Sequence, residues 1–200
     1  MSINEAAPKG RRRAVNKERR ISALLSAAER LIQASGATDF TMQQLAEAAG
    51  LSLATTYNLI GTKAAVLYAL LNVDLDALSF HQDKLRDAMS SVQPSDMARL
   101  AVGFFSAKPD YYRPLMRYLL GVFEPKQRPL FMARAIGFWR KAIGLEELDE
   151  SWPLTDIRKE DIAQSMHLSF IGALDLWVHH EIDNDRFEYL ILRQTALLGV

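Results

Sequence analysis

The stretch Phe40-Thr41-Met42-Gln43-Gln44-Leu45-Ala46-Glu47-Ala48-Ala49-Gly50-Leu51-Ser52-Leu53-Ala54-Thr55-Thr56-Tyr57 contains two helix starts separated by one tight turn. The Thr41 hydroxyl can accept from the backbone N–H of Gln44 while the Gln44 side chain reaches back, the capping-box arrangement, and Phe40 and Leu45 flank that cap as a hydrophobic staple. Met42, Leu45, Ala46 and Ala49 then recur at helical spacing, and Gly50 supplies the left-handed backbone that ends the helix. Leu51 suits the inner side of the turn and Ser52 is a second N-cap; the segment from Leu53 to Ile60 is too short to be stable unless it docks on neighbours. A short, docked helix behind a tight turn is the sequence form of a helix-turn-helix, whose second helix enters a DNA major groove.

On the N-terminal side, Asn16 can cap a helix in which Ile21, Leu24, Leu25, Ala28, Leu31 and Ile32 form one apolar stripe ending near Gly36. Everything before about Val15 reads as a disordered basic arm. On the C-terminal side, Thr62 caps a long helix carrying Val66, Leu67, Leu70, Leu71, Leu75, Leu78 and Leu85, which runs to about Met89. Pro94, Pro109, Pro129, Pro153 and Gly144 punctuate the rest into further helices. The last two are the longest, from about Lys159 to Val178 and from Asp185 to Leu198. No segment alternates as a strand, so the expected fold is all-α: a disordered arm over 1–15, a three-helix DNA-binding head over 16–62, and a C-terminal helical domain over 63–200.

The chain has 200 residues, 49% of them hydrophobic, enough for a sizeable core. It has no cysteine, so it has neither a disulfide framework nor a thiolate zinc site, and it suits a reducing compartment. No run approaches the roughly 20 apolar residues of a membrane span, and the basic start is not followed by the apolar core of a secretory signal. The expected location is the cytoplasm, away from membranes. Net charge is zero but unevenly distributed. Up to Lys63, Lys9, Arg11, Arg12, Arg13, Lys17, Arg19, Arg20, Arg30 and Lys63 face Glu5, Glu18, Glu29, Asp39 and Glu47, nine against five, so the head carries +4 and the remainder −4. A basic head on an acidic body fits a protein whose head alone meets phosphate.

Enzyme chemistry finds no foothold. None of His81, His167, His179 and His180 follows a glutamate at the Glu-x-x-His spacing of a di-iron bundle. There is no Gly-x-Ser-x-Gly elbow, phosphate-cradling glycine loop or His-Glu-x-x-His pair. His179, His180, Glu181, Asp183 and Asp185 could hold a divalent metal, or could simply be the histidines and N-capping Asp that electrostatics places where one helix ends and the next begins. No cofactor, catalytic residue or metal site is expected.

From about Ile21 to Leu67 the chain resembles the tetracycline-repressor (TetR) family of bacterial transcriptional regulators. The resemblance rests on Ala27-Ala28, Gly36, Phe40-Thr41, Leu45-Ala46, Ala49-Gly50-Leu51-Ser52, Tyr57 and Thr62-Lys63. Departures are local. Leu59 and Ile60 stand where the family tends to carry an aromatic pair, Ala64 and Ala65 replace glutamates that would complete a capping box, and Thr56 fills a usually aliphatic site. The resemblance implies that Thr41, Tyr57 and Lys63 touch DNA phosphate, and the N-terminus of the helix capped by Ser52 can add to them. Base reading then falls to Leu53, Thr55 and Asn58: an Asn can pair with adenine, and a Thr methyl or a Leu can pack on a thymine methyl, so an A/T-containing half-site is expected. Arg11, Arg12 and Arg13 either enter an adjacent minor groove or attract phosphate non-specifically.

The family also implies that 63–200 is a ligand-binding and dimerisation domain, giving a homodimer on a palindromic operator joined through the last two helices. The expected interface is Ile162, Met166, Ser169, Phe170, Ala173 and Trp177 with Leu190, Ile191, Leu197 and Leu198. An inducer site is implied in the aromatic and methionine-rich middle of the chain, where Phe105, Tyr112, Met116 and Trp139 are candidate walls. The expected function is therefore a sequence-specific transcriptional repressor released by a small apolar or amphipathic effector. A helical adaptor whose head binds protein instead of DNA is the alternative.

Overall fold

The computed structural model describes residues 9–89, 91–144 and 156–199, which form nine helices and, among the described residues, no strand. In chain order they are α1 (Lys9–Ser35), α2 (Met42–Ala48), α3 (Leu53–Ile60), α4 (Lys63–Ala88), α5 (Pro94–Ser106), α6 (Pro109–Gly121), α7 (Gln127–Ala142), α8 (Asp156–Val178) and α9 (Asn184–Leu198). The all-α expectation holds, and the recognition segment and long fourth helix fall where the caps place them.

The N-terminus differs from its sequence reading. Residues 1–8 of the expected disordered arm lie outside the described residues, but from Lys9 onward the chain is helical, and Asn16, expected to cap the helix, sits inside it. The segment Arg11-Arg12-Arg13-Ala14-Val15 contains no breaker, and Arg and Ala are among the strongest helix formers, so the helix extends backward past the last packed residue. Residues 11–20 are all exposed: a basic helical spur projects from the head.

Head and body share one continuous core. Leu24, Ala28 and Ile32 of α1 are fully buried, α2 adds Leu45, and the cluster continues through Leu67 and Leu71 of α4 to Trp177 of α8 and Phe187 of α9. Burying a side chain of this size contributes roughly 1.5–3 kcal/mol. α2 and α3 pack on α1, whereas α4 leaves the head and becomes the central helix of the body, packed by α5, α6 and α7. Among the described residues α4 alone is long and apolar enough by composition to span a membrane, but its Leu70, Leu71, Leu75 and Leu78 are buried by protein. α6 bridges the two regions, packing on α1 on one side and on α8 on the other.

Candidate nucleic-acid interface and ligand cavity

The caps build the head as the sequence predicts. The Thr41 hydroxyl accepts from the Gln44 N–H at 3.1 Å, and the Thr41 N–H donates to Gln44 Oε1 at 2.7 Å. α2 ends in a Schellman arrangement: Gly50 at φ +67° donates to the Glu47 carbonyl and Leu51 donates to that of Ala46 at 2.9 Å. The Ser52 hydroxyl accepts from the Thr55 N–H at 3.2 Å, starting α3. Thr56 is fully buried, and its hydroxyl donates back to the Ser52 carbonyl at 3.2 Å, so it packs as an aliphatic residue would without leaving a polar atom unpaired.

Docking leaves one face of α3 open. Leu53, Ala54, Tyr57 and Asn58 are exposed, with Tyr57 at 48%. Leu53 and Asn58 are thus presented as the sequence suggests. Thr55 is only half-buried, and its hydroxyl is tied to that of Ser52 at 2.8 Å, which leaves its methyl group for contact. Ala54 is a member of this face that periodicity overlooked, because a small residue carries no hydrogen-bonding signal. Thr41 and Ser52 are exposed at the starts of their helices. Lys63 is placed otherwise: its ammonium stands 4.8 Å from the Phe40 ring centroid and 5.4 Å from that of Tyr118, and burial lowers its pKa against the opposing pull of Asp39. In this position it joins the head to α6. Positive charge on the head is concentrated instead on the α1 spur, where Arg11, Arg12 and Arg13 are exposed.

In the body, a small cavity of about 40 Å³ lies between α4, α5, α6, α7 and α8. Of the four candidate walls, Phe105, Met116 and Trp139 line it; Tyr112 does not, and instead packs behind Phe105 with ring centroids 4.8 Å apart. Two polar residues in the wall were not anticipated. Asp74 accepts from the Tyr111 hydroxyl at 3.1 Å, and burial raises its pKa to about 6 although that hydrogen bond acts the other way. His167 is 2% exposed, and neither ring nitrogen has a hydrogen-bond partner. Burial, helped by the positive charge of Arg128, lowers its pKa to about 4, so the ring is neutral at pH 7.

No protein-family model and no curated protein matches this sequence. Solved structures do. A TetR transcriptional regulator from Rhodococcus sp. RHA1 superimposes with TM-score 0.76 at 15% identity, over 92% of this chain and 98% of that one. The fold is that of the TetR-family transcriptional regulators. Thermus thermophilus FadR, a TetR-family transcriptional repressor solved with lauroyl-CoA, matches this TetR fold with TM-score 0.63 at 17% identity, over 89% of this chain and 92% of its own. NalD of Pseudomonas aeruginosa, the secondary repressor of the MexAB-OprM multidrug efflux pump, matches with TM-score 0.57 at 20% identity, over 90% and 96%.

Within this TetR fold the last two helices turn a different face outward from the one expected. Met166, Phe170, Ala173, Trp177 and Ile191 are buried inside the protomer and have no surface to offer a second copy. Phe170 is a hub of the protomer's own core, with ring centroids 5.4 Å from Trp139, 5.5 Å from Phe105 and 5.5 Å from Phe187. Ile162, Ser169, Leu190 and Leu198 are half-buried, and Leu197 is exposed at 69%. The outward stripe of α8 is shifted by about two residues and contains Gln164, Leu168 at 66% and Gly172; on α9 Tyr189 joins Leu197. At the junction of these helices, His179 Nδ1 lies 2.8 Å from the Asp175 carbonyl, His180 Nδ1 lies 2.6 Å from Arg113 Nη1, and Asp183 caps α9 by accepting from the Arg186 N–H at 2.8 Å. Among the described residues no group of three or more His, Cys, Asp or Glu side chains converges to hold a metal.

Proposed function

We propose that this chain is a sequence-specific DNA-binding transcriptional regulator, acting as a homodimeric repressor that leaves a palindromic operator when a small apolar or amphipathic effector enters the body. The observation that carries the reading is the open face of α3, where Leu53, Ala54, Tyr57 and Asn58 stand together on a helix otherwise docked into the head. Leu53, the Thr55 methyl and Asn58 are the base readers, suited to thymine methyl groups and adenine. Thr41, Tyr57 and the N-terminus of α3 at Ser52 position the head on phosphate, and Lys63 joins them by leaving its two aromatic rings. The α1 spur adds the cationic attraction that the uncharged α3 lacks. As a helix it lies along the backbone, since entering a minor groove would require Arg11–Arg13 to unwind.

The dimer forms through the outward stripe of α8 and α9, with Leu168, Gly172, Tyr189 and Leu197 at its centre. Effector coupling follows from how α6 is held. Met116 on α6 lines the cavity, Tyr118 on the same helix lies beneath Lys63, and Lys108 at its start pairs with Glu29 of α1 at 3.8 Å. A ligand that displaces α6 therefore displaces the head, and it shifts the DNA-bound population by its differential affinity for the two arrangements. The lauroyl-CoA bound by the FadR neighbour supports an effector site in a body of this shape.

The test is selection of bound duplexes from a random DNA pool at moderate salt. An enriched inverted repeat, lost from Asn58→Ala and Leu53→Ala pools, is the expected result. Recovery without any enriched motif, or no recovery, would overturn DNA reading and move the adaptor function forward.

A further inference from the structure

The cavity wall holds an unbalanced polar group. His167 is neutral and nine-tenths or more buried, and both of its ring nitrogens lack a partner, one of them a donor and the other an acceptor. An unpaired buried polar atom is costly, and native interiors rarely keep one without a use. The carboxylate of the wall, Asp74, is already held by the Tyr111 hydroxyl. His167 is therefore the wall residue whose nitrogens remain to pair with a ligand's polar group. The body of such a ligand meets aromatic rings: Phe105, Phe138, Trp139 and Phe170.

Charge restricts the ligand further. The Asp74 carboxylate in the same wall opposes an anion, and the positive field of Arg128 at His167 opposes a cationic group beside that ring. A hydroxyl is uncharged and both donates and accepts, so it can pair with either ring nitrogen in either tautomer. A carbonyl only accepts and an ammonium only donates.

We propose that the cavity is a site for a compact, uncharged aromatic molecule bearing one hydroxyl group, a phenol or an aryl alcohol, whose hydroxyl pairs with His167 while its ring lies among the phenylalanine and tryptophan side chains. This rests on the reading of the cavity as the effector site and names the chemistry of the effector. Size adds a mechanical consequence. At about 40 Å³ the cavity is far smaller than the roughly 150 Å³ that holds a benzene ring in an apolar protein interior, so the walls must part on binding. Phe104 and Ile171 are the half-buried apolar members of the wall, so they are the side chains expected to give way.

The experiment is calorimetric titration of the full-length protein with four probes of one shape: 4-propylphenol, propylbenzene, 4-propylbenzoate and 4-propylbenzylamine. The phenol is expected to bind at least about tenfold more tightly than propylbenzene, equivalent to about 1.4 kcal/mol, and more tightly than either charged probe. In His167→Phe the preference for phenol over propylbenzene should fall to within about twofold, while His167→Gln, which keeps a donor and an acceptor, should retain part of it. Equal affinity for phenol and propylbenzene, tightest binding of the amine or the benzoate, or no binding of any probe would each overturn the proposal. The wild-type series decides even if a variant fails to fold. Release of DNA is measured separately: phenol binding without release would overturn the effector reading and leave the ligand class standing.

Discussion

His167 and Asp74 should pull the stability of this protein in opposite directions as pH falls, and replacing either should expose the other. His167 has a folded pKa of about 4 against an ordinary 6.5, so its contribution is fully present above 6.5 and is lost as pH falls through 4. Asp74 has a folded pKa of about 6 against an ordinary 3.8, so its contribution is fully present below 3.8 and is lost as pH rises through 6. At about 1.36 kcal/mol per pKa unit, going from pH 7 to pH 5 removes about 2 kcal/mol through His167 and restores about 1 kcal/mol through Asp74. In the wild type the second offsets about half of the first, a net loss of about 1 kcal/mol. In His167→Phe only the Asp74 contribution remains, so between pH 7 and 5 its unfolding free energy should rise by about 2 kcal/mol relative to wild type. In Asp74→Asn it should fall by about 1 kcal/mol relative to wild type over the same interval. Urea unfolding monitored by circular dichroism at half-unit pH steps measures both differences, and subtracting the wild type cancels the titration of the other carboxylates. Curves for His167→Phe and wild type that stay parallel from pH 7 to 5 would refute a buried, unpaired, neutral His167 and remove the ground for the ligand class inferred from it.

Substitutions on the two faces of α8 should part company. Phe170→Ala is expected to destabilise the protomer by about 3–5 kcal/mol, whereas Leu168→Glu should leave the fold intact and shift the protein to monomer in sedimentation equilibrium. Tyr57→Phe should weaken binding to all DNA sequences alike with no change in salt dependence, because a phenol displaces no counterion, while replacing Arg11, Arg12 and Arg13 by Ala should lower the slope of log affinity against log salt by up to about 0.9 per phosphate lost. Gly50→Ala meets no atom within 4 Å but must hold φ +67°, so a loss of roughly 1–2 kcal/mol in thermal or chemical unfolding is expected from backbone strain alone.

The head was legible because its signals are local. A cap at Thr41, a left-handed glycine at Gly50 and a second cap at Ser52 each act within four residues, and each appears in the structure with the partner that local chemistry assigns. The spur was misread for a related reason: Arg11 to Arg13 are charged and unpacked, which resembles disorder in composition, but helix propensity needs no packing partner when α1 can propagate backward from its buried turns.

The body was legible in outline and not in register. Periodicity finds the most apolar stripe of a helix, and on α8 that stripe belongs to whichever neighbour buries the most area. Here the neighbours are the chain's own α7, α6 and α9, so Met166, Phe170, Ala173 and Trp177 face inward, and the sparser Leu168 and Gly172 are left exposed. The same competition hid the cavity's polar wall. Asp74 and His167 interrupt apolar runs at Leu70–Leu78 and Met166–Phe170, and a solvated charge leaves the same trace in sequence as a buried one. What separates them is the side to which the residue points, which four other helices decide; for His167, the nitrogens left unpaired by that choice make an otherwise ordinary apolar gap selective.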